Sequence, residues 1–384
     1  MKKLYLDTNL QLMGGVTLMV IMGVSSIMPV LPTLMRELGV SPGSIGLVIT
    51  AFTLPGVILS PVAGVLADRL GRKRILVGSL VVFGVFGAAC SLAPDFETLL
   101  YLRFLQGIGV APIGVLNTTV IGDLYEGEDR VRAMGFSAIV LSVGTASLPA
   151  LGGFLALWGW QYAFLLPLSS LALAILVQLF LDNPEPRATV TLKEYMKGTF
   201  SAMAARTMVA LFVITLLTHI ILYGPYVTYL PILLEERFLL SPAYIGLISS
   251  IASVFTALAS SQVGRLAGRF RSIALLCASS VLLFLSMAVV PFLSSLWAFA
   301  LPVALLGASM GLGAPVRIAL LAELSPMDSR GAIMSVNSML LRLGQTIGPV
   351  LMGLVFAEAG MDWVYWTGTF AALAMFAVTL GMSR

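Results

Sequence analysis

Long apolar runs constrain this chain more than any motif in it. Residues 10–35, 45–67 and 75–92 each approach the ~20 residues that cross a bilayer. Further runs begin near Thr98, Ser137, Tyr162, Met208, Tyr244, Ile273, Leu296, Met334 and Trp363, about twelve in all. Hydrophobic residues make up 59% of the chain and charged residues 10%, against roughly a quarter charged in soluble domains. A water-soluble protein cannot hide that much apolar surface. In hydrocarbon every backbone polar group must be paired, which leaves only helices and closed barrels. Barrel strands alternate polar and apolar residues, and these runs do not. The expected class is therefore an all-α integral membrane protein. Lys2 and Lys3 precede the first run, which is too long for a cleaved leader and lacks a small-residue cleavage site, so it reads as a retained span.

The chain also repeats itself at an offset of 200 residues. Ser41, Pro42, Ile45, Gly46 and Leu47 return as Ser241, Pro242, Ile245, Gly246 and Leu247. Gly64, Leu66, Ala67 and Arg69 return as Gly264, Leu266, Ala267 and Arg269. Asp123 and Arg130 return as Glu323 and Arg330, and Gly144, Pro149 and Gly153 as Gly344, Pro349 and Gly353. Two homologous halves follow, each of six spans, arranged as pseudo-symmetric six-helix bundles. Parallel repeats of this size point to a transporter with its substrate site between the halves.

Lys and Arg placement orients the spans. With the amino terminus inside, most of the basic residues fall in cytoplasmic segments, among them Arg69, Arg72, Lys73, Arg74, Arg130, Arg265 and Arg271. The outer loops hold only Arg36 and Arg237. This bias accounts for the net charge of +4 without nucleic-acid binding. Both termini are expected in the cytoplasm of a bacterial-type inner membrane. Cys90 and Cys277 lie in apolar spans of different halves and are expected as packed, reduced thiols. Residues 1–181 read as the first bundle, 182–207 as a cytoplasmic linker and 208–384 as the second bundle. Asp182, Asn183, Pro184, Glu185 and Pro186 form a helix stop, and residues 191–204 are read as a short amphipathic surface helix bearing Lys193 and Lys197.

Between the second and third runs stands Gly64-Val65-Leu66-Ala67-Asp68-Arg69-Leu70-Gly71-Arg72-Lys73-Arg74. Small residues at Gly64 and Ala67 let a neighbouring helix approach. Asp68 can cap the positive end of a helix, Gly71 permits a tight turn, and Arg72 can pair with a carboxylate. This segment resembles the loop signature of the major facilitator superfamily, and span count, repeat and linker agree with that family over the whole chain. The resemblance implies a twelve-helix fold in which Asp68 and Arg72, with the acid at Asp123, latch the inner side in the outward-facing state. In the second half Gly268 replaces the aspartate, leaving Arg269 and Glu323 as a reduced latch. Arg103, Gln106, Gly107 and Gly109 resemble the family's fourth-helix segment. Gly144, Pro149 and Gly153 resemble the fifth-helix signature of drug antiporters, although Leu148 stands where a glycine precedes the proline. The eleventh helix keeps the fuller pair, Gly348 and Pro349.

Polar residues within the runs are candidates for substrate or proton coupling. Arg103 costs about 2.5–3.5 kcal/mol at the membrane centre, so it either faces the substrate cavity or bonds to backbone carbonyls. His219, the only histidine, lies near Tyr223, Tyr226 and Tyr229, and it is read either as a proton switch or as a packed, hydrogen-bonded residue. Asn337, Arg342 and Gln345 complete the set, while Arg317, near an inner helix end, is expected to snorkel to the surface. No Asp or Glu falls mid-run. With Arg103 and Arg342 deep in opposite halves, the substrate is expected to be neutral, zwitterionic or anionic.

The reading is a secondary active transporter working by alternating access, most simply a proton-coupled exporter of small amphiphilic drugs or metabolites. A carrier of organic anions, metabolites or sugars, import included, is the alternative, and a transport-inactive sensor is a third. Nothing reads as an enzyme, and neither a cofactor nor a metal site is expected. The partners are a small-molecule substrate, protons and the lipid bilayer, with the protein as a monomer.

Overall fold

The structure, a computed structural model, describes residues 4–182, 205–326 and 330–382, apart from the side chains of Pro61, Val65 and Asp68. Among these residues 12 helical spans are long and apolar enough to cross a membrane. Spans 1 to 6 are Thr8–Leu38, Pro42–Ser60, Arg72–Leu92, Phe96–Leu124, Gly127–Leu155 and Trp160–Phe180. Spans 7 to 12 are Arg206–Phe238, Pro242–Ala267, Ser272–Phe292, Leu296–Leu324, Arg330–Ala359 and Met361–Gly381. The helix of span 2 continues to Leu70. The linker helix expected over 191–204 lies outside the described residues.

Local chemistry sets the helix ends. Asp7 caps span 1 by accepting the Leu10 N–H at 3.1 Å, and Asp95 caps span 4 by accepting the Thr98 N–H at 2.8 Å. The Thr98 bonds also hold the Asp95 carboxyl below the usual carboxylate range. Gly71, at φ +97°, makes the turn from span 2 into span 3. Span 1 ends at Gly39 with φ +63°, and its counterpart Leu239 takes φ +52°. Leu239 is the one non-glycine in that region among the described residues, so the repeat dictates backbone shape even where the glycine is gone.

The repeat is visible as duplicated contacts. Within the first half, Gly107 lies against the Phe52 carbonyl; within the second, Gly307 lies against the Ala252 carbonyl. Between halves, Gly46 rests on Pro349 and Gly246 rests on Pro149. Each contact maps onto its mate by the offset of 200, which is the mark of a pseudo-two-fold axis. Span 4 packs on spans 2 and 3, and span 10 packs on spans 8 and 9. Span 5 meets span 8, and span 2 meets span 11, to join the halves.

One end of the molecule carries Arg69, Arg72, Lys73, Arg130, Arg265 and Arg271, and is the basic end. In the first half this end is tied together. Arg72 pairs with Asp123 at the end of span 4. Lys73 Nζ donates to the Leu181 carbonyl at 2.8 Å, completing the end of span 6. Tyr125 donates to the Asp7 carboxylate at 2.5 Å, and burial, followed by that carboxylate, pushes the phenol's pKa up.

Candidate functional site

Contacts between the halves gather at the end opposite the basic one. There Arg36 pairs with Glu235 across the interface. Tyr229 donates to the Pro42 carbonyl at 3.0 Å, and its ring stacks on Phe356. Thr50 donates to the Thr346 carbonyl at 2.9 Å, and the Thr346 hydroxyl donates to Thr53 at 2.9 Å. Gly153 and Gly246 lie so close to the carbonyls of Pro242 and Pro149 that a Cβ on either would collide with them. Toward the basic end the facing helices part around a cavity of about 780 Å³. Its wall reaches Ser60, Thr118 and Ser335 near that end.

Spans 1, 2, 4 and 5 supply one wall and spans 7, 8, 10 and 11 the other. The first wall is built largely of apolar groups and hydroxyls, such as Val20, Ile21, Val24, Phe52 and Thr118. The second carries His219, Tyr223, Tyr226, Arg317, Arg342 and Gln345. No Asp or Glu lines it among the described residues.

Span 7 reaches the cavity through irregular backbone. Its α-helix, Arg206–Ile221, gives way to a π-helical stretch, Leu222–Tyr229, containing Pro225. Proline cannot donate to the helical ladder, and widened turns of this kind cluster at functional sites. The stretch places Tyr223 and Tyr226 on the cavity wall. Tyr226 donates to the Ser249 carbonyl at 2.8 Å, tying span 7 to span 8. His219 Nδ1 lies 2.8 Å from the Thr215 carbonyl. Against a carbonyl this nitrogen must carry the proton, so Nε2 is left as an acceptor.

Five of the residues singled out for substrate or proton coupling thus converge: His219, Tyr223, Tyr226, Arg342 and Gln345. The other three stand elsewhere. Arg103 is fully buried, donating to Gly23 O at 2.8 Å, Val48 O at 3.2 Å and Gln106 Oε1 at 2.7 Å. Its guanidinium lies 4.2 Å from the Phe52 ring centre. Gln106 spends its Oε1 on that arginine, and Asn337 accepts from Thr215 at 2.8 Å, tying span 11 to span 7. Of the two readings open for Arg103, this is the carbonyl-bonded one.

Arg317 departs from expectation. It is 6% exposed and donates to Thr218 at 3.2 Å, facing the cavity and not the membrane surface. The cavity extends to its level, so turning inward reaches both water and a hydroxyl. The cationic pair of the cavity is therefore Arg317 with Arg342, both in the second half, and not Arg103 with Arg342. The sequence does hold a signal for this wall: Ser335, Ser338, Arg342 and Gln345 recur at helical spacing along one face of span 11.

The motif glycines and prolines act as surfaces. Gly144 packs on Leu18 and Ile21 of span 1, and Gly348 on Ile220 of span 7. Pro149, Gly153 and Pro349 form the interface between halves. In the latch loop, Gly64 faces Val115 of span 4, and the Asp68 side chain lies outside the described residues. Arg269 and Glu323 form no ion pair with each other.

The family profile described as Major Facilitator Superfamily matches residues 13–238 and again 211–382. The bacillibactin exporter of Bacillus subtilis (strain 168) is 27% identical, covering 93% of this chain and 91% of that protein. The class C tetracycline resistance protein of Escherichia coli is 28% identical, covering 92% and 90%. Among solved structures, nucleoside transporter NupG superposes with a TM-score of 0.81 at 15% identity, covering 98% of this chain and 100% of that one, a likeness of fold.

Proposed function

The chain is a member of the Major Facilitator Superfamily, a secondary active transporter of the multi-pass membrane class, and on that premise we propose that it exports small amphiphilic compounds, drug-like or metabolite, in exchange for protons. One observation carries this reading: a cavity between the halves, lined by residues of both, sealed at one end and reaching toward the other. Two relatives aligned over nearly the whole chain are named for export and for drug resistance, which supports the direction.

The positive-inside rule puts the basic end in the cytoplasm. On that orientation the cavity loads from inside, both termini are cytoplasmic, and the membrane is the bacterial inner membrane. The protein works as a monomer. Residues 1–181 and 208–384 rock as two bodies about the linker 182–207. When the basic ends close, Asp68 joins Gly71, Arg72 and Asp123 as the latch. Pro149, Gly153 and Pro349 are the bearing surfaces of the motion, while Gly144 and Gly348 hold spans 5 and 11 within their own halves. Arg103 positions spans 1, 2 and 4 and touches no substrate.

His219 is the proton-coupling residue in this reading. The charged and titratable groups facing it are Arg317 and Arg342 from spans 10 and 11 and Tyr223 from its own span. In everted vesicles energised acid inside, a transported compound releases lumenal protons, read by a pH-sensitive dye. A panel of dyes, antibiotics, organic anions and sugars should include compounds that do so. His219→Gln should flatten the pH dependence of that release while compound binding persists. An unaltered pH profile in that variant makes the histidine structural. Binding without proton movement by any compound contradicts the antiport reading.

A further inference from the structure

The chain's intramembrane arginines differ in how their donors are spent. Arg103 bonds to two carbonyls and an amide oxygen and lies against Phe52. Its charge is solvated by the protein. Arg317 makes one side-chain hydrogen bond among the described residues, to Thr218 at 3.2 Å. Arg342 makes one as well, a long contact of 3.4 Å to Gln345. A guanidinium has five N–H donors in a planar fork. Most of those on Arg317 and Arg342 are therefore left for whatever occupies the cavity that both line. Among the described residues no carboxylate stands on its wall to pair with either.

The two groups act on one region. Both line the same cavity as the His219 imidazole. Arg342 also reaches across the cavity, its Cδ and Nη2 facing Gly56 and Gly114 of the first half. The opposite wall offers Val20, Ile21, Val24 and Phe52, an apolar surface without charge. Two guanidinium groups beside an uncharged wall of apolar groups and hydroxyls are the complement of one kind of ligand.

We propose that the transported compound is an amphipathic organic anion, its acid group held between Arg317 and Arg342 and its apolar body laid on spans 1 and 2. This rests on the transporter reading above and names the substrate class of that site. Charge-assisted, bidentate hydrogen bonds make an arginine fork selective for planar or tetrahedral oxyanions. The membrane potential favours the same direction of transport. A cytoplasm at negative potential drives a monoanion outward. Export of an anion against entering protons draws on both parts of the proton-motive force.

The test uses three naphthalenes matched in size: naphthalene-2-sulfonate, naphthalene-2-sulfonamide and trimethyl-(2-naphthyl)ammonium. Their binding to the purified full-length protein is measured by calorimetry. The sulfonate is expected to bind about tenfold or more tighter than the other two. Arg317→Gln and Arg342→Gln should each remove that preference, lowering sulfonate affinity about tenfold or more and sulfonamide affinity by a smaller factor. Arg317→Lys and Arg342→Lys should keep part of it, since charge survives and the fork does not. Absence of sulfonate binding, equal or tighter binding of the cation, or a preference that survives both glutamine variants overturns the proposal. Flux in vesicles is read separately. Proton-coupled movement of other compounds without an anion preference sinks the anion site and leaves the transporter standing. Sulfonate bound as expected, with no compound ever moved, does the reverse.

Discussion

Arg103→Ala should leave almost no folded protein in the membrane. Arg103 is 0% exposed and joins three spans through Gly23 O, Val48 O and Gln106. Truncation takes a donor from the Gly23 and Val48 carbonyls of spans 1 and 2 and from Gln106, and opens a cavity beside Phe52 and Phe164. The combined loss is on the order of 3–5 kcal/mol, enough to consume much of the roughly 5–15 kcal/mol that holds a folded domain. Arg103→Lys should fail too, because one ammonium cannot reach three acceptors on different helices. The measurement is the monodisperse fraction of a fluorescent fusion in size-exclusion chromatography, with Arg342→Gln as the folded comparison. A monodisperse Arg103→Ala protein that transports at the wild-type rate would contradict the role assigned to this residue.

Gly246→Ala should do the opposite: fold normally and transport poorly. A Cβ at Gly246 collides with the Pro149 carbonyl, but only while the end opposite the basic one is closed. The Gly153 contact with Pro242 is its mate. Overpacking of this kind costs about 1–3 kcal/mol. Paid in one arrangement alone, that shifts the balance of the two states by roughly fivefold to a hundredfold. Transport should fall by a comparable factor. A reporter cysteine at Thr50, which bonds across the closed interface to Thr346, should label faster in the Gly246→Ala background once Cys90 and Cys277 are replaced by serine. Wild-type transport with unchanged labelling would show that this interface does not part during the cycle.

These two residues also show what the sequence makes legible. Span number, helical class and two-fold repeat follow from hydrophobic runs and an offset, because hydrocarbon leaves the backbone few choices. Span 11 announces its cavity face through helical spacing of Ser335, Ser338, Arg342 and Gln345. Arg103 and Arg317 are chemically identical in the sequence. Only the tertiary approach of Gly23 and Val48 to one, and the depth of the cavity at the other, separates a solvated structural cation from one open to a ligand. Position along a span gave the wrong environment for Arg317, since snorkelling assumes lipid where the fold provides a water-accessible wall. The π-helical stretch at Leu222–Tyr229 was equally out of reach. Gly224 and Pro225 mark an interruption there, but the packing of Gly224 against Met352 and Gly348 decides what form it takes.

Alternating access about the central cavity is the claim on which the rest depends, and paired distances test it most directly. One spin-label pair, Glu37 with Leu239, spans the halves at the end that is closed in the structure. The other, Val131 with Arg265, spans them at the basic end; all four positions are exposed. The account predicts two populations for each pair, short at one end whenever long at the other, with acid pH and naphthalene-2-sulfonate redistributing them in opposite senses. Single, unmoved distances at both ends, or distances that lengthen together, would contradict it.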